Sequence, residues 1–288
     1  VKTYQQIIAT IDRLAATDAD LKVKYASTVK SLNNRMKKLQ GLLDGFKVTD
    51  IHAIKQQQQQ ALLNWINSDA RYQQYQQSIT ELQQVIDAEQ AYTQQTYYFD
   101  NAKRSDMLQA AMRLYRLAIE SEKPDAMREM GYQQRDLAMI ESRLARLEKS
   151  FHPTMDLAIW SEQLAEYLAQ PDAVRVAELD AALGLTANMT KEQVSTKLAS
   201  LYQQTSLTTT EGRKAWLGKA PNDFASSDDP FIKLAVALFD KNKALELEEK
   251  TLSGQMLTVR PAYMQAIIAF NNTQAKPVYP DANSTLRI

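Results

Sequence analysis

Long stretches that lack both glycine and proline constrain this chain more than any other feature. Only seven Gly and eight Pro occur in 288 residues. The stretches between them are rich in Ala, Leu, Gln, Glu, Lys and Met, residues that lose little side-chain freedom in a helix. We therefore predict an all-α fold, built as one large domain or two small ones.

Apolar residues recur at helical spacing along two of these stretches. The first seam, with steps of four and three residues, comprises Tyr25, Val29, Leu32, Met36, Leu39 and Leu43. The second seam comprises Leu137, Ile140, Leu144, Leu147 and Phe151. Because a narrow seam of this kind needs a partner helix, the pattern predicts an elongated antiparallel bundle of long helices.

Turn-forming residues divide the pattern into three helical parts and a tail. We predict one α-helical domain over residues 1–275. It has a long-helix part at about 1–152, a compact sub-bundle of shorter helices at about 153–228 and a closing long helix at about 229–272. Residues 276–288 are predicted to be an extended tail with β-favouring residues at its end. Such a tail implies a sheet outside this chain.

Several helix ends are predicted from local signals. Asp18 is expected to cap a second helix, which should end at Asp44-Gly45. Thr49 or Asp50 should open the next helix, and Pro261 should kink or divide the last one. Further helices are expected at about 71–90, 91–121, 124–152, 154–169, 172–183, 191–203 and 211–217.

The charge balance argues against a polyanionic partner. Lys plus Arg and Asp plus Glu number 34 each, so no net field favours nucleic acid or an anionic membrane surface. No stretch approaches the roughly 18 apolar residues needed to span a bilayer, and the opening residues do not resemble a signal peptide. The chain has no Cys, which leaves the compartment open. Its start at Val1 rather than Met suggests an excised or processed piece.

The sequence contains no recognisable catalytic motif. His52 and His152 are the two histidines, and neither has a second ligand at helical metal spacing. GxSxG, P-loop and GxGxxG patterns do not occur. Acidic groups such as Glu246, Glu248 and Glu249 are best interpreted as solvated helix faces. We expect no catalytic residue, no metal site and no cofactor in this chain.

Two consecutive asparagines interrupt this ordinary helical pattern. Asn33 and Asn34 are mediocre helix formers that lie in the middle of a predicted helix. Since each residue advances a helix by about 100°, Asn34 lies about 200° from Leu32 and off the seam, while Asn33 lies at the seam's edge. Either Asn34 simply faces water, or its amide faces a partner or ligand.

Four segments in order along the chain resemble one family. They are KYASTVKSLNNRMKKLQGLLDG at 24–45, KPD at 123–125 with GYQQRD at 131–136, DDP at 228–230 and YPDANSTLR at 279–287. Together they are similar to the helical domain of bacterial serine exopeptidases of the dipeptidyl-peptidase 7 and 11 type. Because the segments span most of the chain, the resemblance is specific.

The resemblance implies a domain inserted into a larger enzyme. The family has a chymotrypsin-like double β-barrel with a Ser-His-Asp triad, and it releases dipeptides from free peptide N-termini. None of the triad segments occurs in this chain, so the partner would be the β-barrel catalytic domain of the same polypeptide. The helical domain would cap the active-site cleft, and the fragment alone should be inactive.

The resemblance also assigns a binding residue and a cellular context. A helical-domain asparagine of the family helps to hold the substrate's α-amino group, and Asn34 matches that position, with Asn33 as the neighbouring alternative. The full enzyme is expected to be a homodimer at the periplasm or cell surface of a Gram-negative bacterium. Preference for an acidic or a hydrophobic penultimate residue stays open.

Two interpretations from other classes compete with the peptidase domain. A stand-alone helical scaffold would use its two seams for oligomerisation. A membrane-curving helical dimer would need a basic concave face, which the balanced charge disfavours.

Overall fold

A computed structural model of the protein describes residues 1–276 and 278. Within these residues the regular secondary structure is entirely helical, so the predicted all-α class is confirmed. The α-helices are α1 (Lys2–Ala15), α2 (Ala19–Thr49), α3 (Ile51–Ser68), α4 (Gln76–Ala102), α5 (Asp106–Ser121), α6 (Leu137–Ser150), α7 (Pro153–Leu168), α8 (Ala177–Leu183), α9 (Lys191–Gln204), α10 (Thr210–Lys214), α11 (Pro221–Ala225) and α12 (Pro230–Thr273). Short 3-10 segments lie at Ala70–Tyr75, Asp125–Met127 and Gln134–Asp136.

The chain divides into two compact units. The first combines Val1–Gln40 with Gln94–Leu245, and the second combines Gly41–Thr93 with the residues from Glu246 onward. Helices α2, α4 and α12 contribute residues to both units.

The first unit has an apolar core between α1, α2 and α7. Its buried members are Ile7, Ile11, Ala15, Leu21, Tyr25, Leu32 and Met155. In α7, Trp160 is fully buried, and its indole nitrogen donates a hydrogen bond to the carbonyl oxygen of Ala102 at 2.6 Å. A buried indole needs such a partner, because its N–H would otherwise lose its hydrogen bond to water.

A buried arginine fastens α10 to α6 in the same unit. Arg213 has no exposed surface, and its guanidinium donates to the carbonyl oxygens of Leu144 at 3.0 Å and Leu207 at 2.8 Å. It also pairs with Glu148. Burying a charge is tolerated only when its donors are satisfied in this way.

The second unit has a smaller core. Val85 of α4 packs with Met256 and Val259 of α12. Elsewhere in this unit the rings of Trp65 and Tyr72 stack, with their centroids 4.1 Å apart.

The structure corrects the predicted end of α2. The helix continues through Gly45 to Thr49, and the break falls at Asp50, which has φ 42°. Asp tolerates this left-handed conformation better than most residues. The Asp50 carboxylate also accepts from the Ala53 amide at 3.3 Å, so the prediction that Asp50 opens the next helix is confirmed.

The prediction of one long helix at about 124–152 is also wrong. The Asp125 carboxylate accepts from the Gln134 amide at 2.6 Å, and the Asp136 carboxylate accepts from the Gly131 amide at 3.0 Å. These side chains compete with the backbone for its donors, and Gly131 has φ 95°. Helix α6 therefore begins only at Leu137.

Other boundaries shift as well. No break occurs near residue 90, because α4 runs unbroken to Ala102. Pro261 lies inside α12 without dividing it. The helix expected at 172–183 starts only at Ala177. The predicted tail, residues 276–288, lies outside the described residues apart from Lys276 and Val278, which have no regular secondary structure.

Candidate functional site

Helix α2 carries both asparagines singled out by the sequence, and its first half is firmly anchored. The Asp18 carboxylate accepts from the amides of Asp20 and Leu21, both at 3.0 Å, so the predicted cap is confirmed. Tyr25 and Leu32 are buried against α1 and α7. This packing fixes the direction in which the next residues of the helix point.

Asn34 is exposed and Asn33 is half-buried. Within the part of the chain that the structure describes, the Asn34 side chain makes no hydrogen bond to protein. An amide oxygen in this state can accept from an ammonium group without adding a competing charge. The exposure is what a ligand-binding role requires, and the role itself stays a prediction.

A buried carboxylate joins three helices of the first unit. Asp156 of α7 accepts from the Tyr202 hydroxyl at 2.6 Å, the Ser105 hydroxyl at 3.0 Å and the Asp106 amide at 3.0 Å. Ser105 in turn caps α5 by accepting from the Leu108 amide at 3.3 Å. The cluster ties the start of α5 to α7 and α9.

The two carboxyl groups of this cluster ionise differently from free ones. Burial raises the pKa of Asp156 despite the hydrogen bonds that it accepts. Burial, and then the charge of Asp156, raises the pKa of Asp106 to about 7. Two neighbouring carboxyl groups with different pKa values can act as a general acid and a general base. Here Asp156 is only 6% exposed and engaged by donors of its own chain, so we assign its carboxylate to holding the helices together.

Sequence reasoning missed this cluster. The Ser105-Asp106 pair before the apolar stretch of α5 is a recognisable start signal for a helix, but nothing in the local pattern points to Asp156 or Tyr202. Their meeting depends on how α5, α7 and α9 pack.

The histidines do not come together. His52 is exposed on α3 and His152 is half-buried just before α7. Among the described residues, no group of three or more His, Cys, Asp or Glu could hold a metal ion. None of the helices described is long and apolar enough to cross a membrane.

The described part of the chain is all-helical, and α2 presents the exposed side chain of Asn34 next to turns that are packed against α1 and α7. The chain belongs to the Peptidase S46 family, whose model matches residues 1–288. The family resemblance inferred from the sequence motifs is thereby confirmed, and the protein is related to peptidase hydrolases.

Two curated relatives carry the same description. The chain is 48% identical over 287 residues to the Asp/Glu-specific dipeptidyl-peptidase of Shewanella putrefaciens (strain CN-32 / ATCC BAA-453), covering 100% of this chain and 38% of the relative. It is 23% identical over 292 residues to the Asp/Glu-specific dipeptidyl-peptidase of Capnocytophaga gingivalis, covering 98% of this chain and 38% of the relative. The chain thus spans 38% of the length of these relatives.

Proposed function

We propose that this chain is the substrate-capping helical domain of a serine-type dipeptidyl-peptidase. The observation that carries the proposal is the family match over the whole chain, combined with coverage of only 38% of the dipeptidyl-peptidase relatives. The Ser-His-Asp triad would lie in polypeptide outside this chain, in a β-barrel domain into which these helices are inserted. The match favours this proposal over a stand-alone scaffold.

In this proposal Asn34 contacts the amino end of the peptide. Its amide oxygen would accept one hydrogen of the substrate's α-ammonium, and Asn33 is the neighbouring alternative. The exposed, unengaged side chain of Asn34 supports the assignment, and so does the packing that anchors the preceding turns of α2. A site that pairs a buried ammonium discriminates strongly against peptides that lack one.

The cap would act by positioning substrate and excluding water. We further propose that the whole enzyme prefers acidic residues, following the description of both relatives. Homodimerisation and a periplasmic or cell-surface location in a Gram-negative bacterium complete the proposal.

An activity assay on two forms of the protein tests this function. The full-length polypeptide should release dipeptides from peptides with a free N-terminus and should leave N-acetylated peptides intact. The 288-residue chain alone should hydrolyse neither. Robust peptidase activity of the chain alone would overturn the capping assignment, and cleavage of acetylated peptides by the full enzyme would overturn the exopeptidase assignment.

A further inference from the structure

A small pocket lies between α5 and α12 in the first unit. It has a volume of about 140 Å³ and is lined by Gln109, Arg113 and Arg116 of α5 and by Phe239 and Lys243 of α12, among others. Since a water molecule occupies about 30 Å³, the pocket has room for a carboxylate with a short alkyl stem.

One carboxylate near the pocket is already engaged. Glu129 forms ion pairs with both Arg116 and Lys243. Burial works to raise the pKa of Glu129, but the hydrogen bonds from Lys243 and Arg116 outweigh it and lower that pKa to about 2. Glu129 therefore stays ionised at ordinary pH and paired with Arg116 and Lys243.

Arg113 also lines the pocket, and it differs from Arg116 and Lys243 in its ion pairing. Its side chain is half-buried, and within the described residues no carboxylate forms an ion pair with it. Partial burial removes hydration from the guanidinium, which is costly unless an anion replaces the water. A guanidinium fork matches the two oxygens of a carboxylate.

The remaining lining selects among anions. Met112 and Phe239 provide apolar walls that can contact methylene groups. These contacts favour an organic carboxylate over inorganic phosphate, which has no apolar part to bury.

We propose that this pocket binds the carboxylate of a peptide, with Arg113 as its direct partner. The inference rests on the proposed function for the peptide nature of the ligand. The carboxylate has two possible sources, an acidic side chain or a free C-terminus. In either case the pocket is an accessory site for a part of the peptide other than its amino end.

Binding of small blocked amino acids to the full-length enzyme tests the proposal. N-acetylglutamate α-amide offers only a side-chain carboxylate, N-acetylglutamine only a terminal carboxylate, and N-acetylglutamine amide neither. Their acetyl groups remove the α-ammonium that Asn34 is proposed to bind. Calorimetry at low ionic strength should detect binding of at least one of the two carboxylates, and the source that binds identifies the ligand.

Two variants assign the binding to Arg113. Arg113→Gln should weaken binding of the carboxylate about 10-fold or more, because a charge-assisted hydrogen bond is lost. Arg113→Lys keeps the positive charge but not the two-pronged guanidinium, so it should give an intermediate affinity. If the Gln variant fails to fold, the Lys variant alone tests whether Arg113 binds the carboxylate. Arg143→Gln, an exposed arginine on α6, is the matched control and should bind as the wild type does.

Three binding results with the wild-type enzyme would overturn the accessory site. They are the absence of binding by both carboxylates, equal binding of the neutral amide, and tighter binding of inorganic phosphate. Unchanged affinity in both Arg113 variants would do the same. None of these outcomes depends on peptidase activity, so failure of the accessory site and failure of the proposed function are distinguishable.

Discussion

Helix α2 is packed along its first half and exposed along its second, although one apolar repeat runs through both. Leu21, Tyr25 and Leu32 are buried, whereas every residue of 41–49 is exposed. Leu43 continues the same seam and is 47% exposed. The repeat identifies the apolar face of a helix, but burial also requires a partner element at that position.

The largest effect is expected in the packed half. Leu32→Ala should lower the free energy of unfolding by about 2–5 kcal/mol, because it leaves a cavity in the core between α1, α2 and α7. Urea unfolding of the 288-residue chain measures the change. A loss below about 1 kcal/mol would mean that this half of α2 is not packed as described.

The carboxyl pair beside this core should make stability depend on pH. The folded protein holds a proton on Asp106 up to a pKa of about 7, while the unfolded chain releases it near its ordinary value, so stability falls as pH rises from about 4 to 7. Asp106→Asn cannot ionise and should gain about 1–2 kcal/mol over wild type across this range, after allowance for the partial exposure of the side chain. The same dependence of the free energy of unfolding on pH in both proteins, from pH 4 to 8, would contradict this account.

The start of α2 should contribute a smaller effect. Asp18→Ala removes the side chain that satisfies the amides of Asp20 and Leu21 and should destabilise the chain by about 1 kcal/mol. Asp18→Asn, which can still cap, is the control and should lose much less. Equal losses of stability in the two variants would indicate that the charge of Asp18, rather than its capping hydrogen bonds, stabilises the chain.

The smallest effect is expected in the exposed half. Leu43→Ala should change the free energy of unfolding by less than about 0.5 kcal/mol, because the side chain already contacts water. This variant is the counterpart of Leu32→Ala on the same helix. A loss of stability comparable to that of Leu32→Ala would contradict the described difference in packing between the two halves of α2.

Local signals predicted some features of the fold well. Scarcity of glycine and proline indicated the helical class, and the caps at Asp18 and Asp50 could be identified from the residues themselves. Helix ends that depend on distant contacts were not predictable. The segment before α6 is an example. The Asp125 carboxylate accepts a hydrogen bond from the amide of Gln134, nine residues away, and the spacing of apolar residues does not predict this bond.

The candidate site was predictable only in part. The asparagine pair was identified because Asn is a mediocre helix former in the middle of a predicted helix, and exposure of Asn34 agrees with its predicted position off the seam. Arg113 carried no local signal, because its distinguishing feature is that no carboxylate among the described residues pairs with it in a pocket that α5 and α12 form together. That property emerges from packing, which a single sequence does not display.

The kinetics of Asn34→Ala in the full-length enzyme test the central claim most directly. The substitution should lower kcat/KM for peptides with a free N-terminus by about 10- to 100-fold, since it removes a hydrogen bond to a charged group. Asn67→Ala, an exposed helical asparagine on α3, should leave kcat/KM unchanged, and both variants should keep wild-type helix content. Unaltered kcat/KM in Asn34→Ala would contradict the proposal that α2 holds the amino end of the substrate.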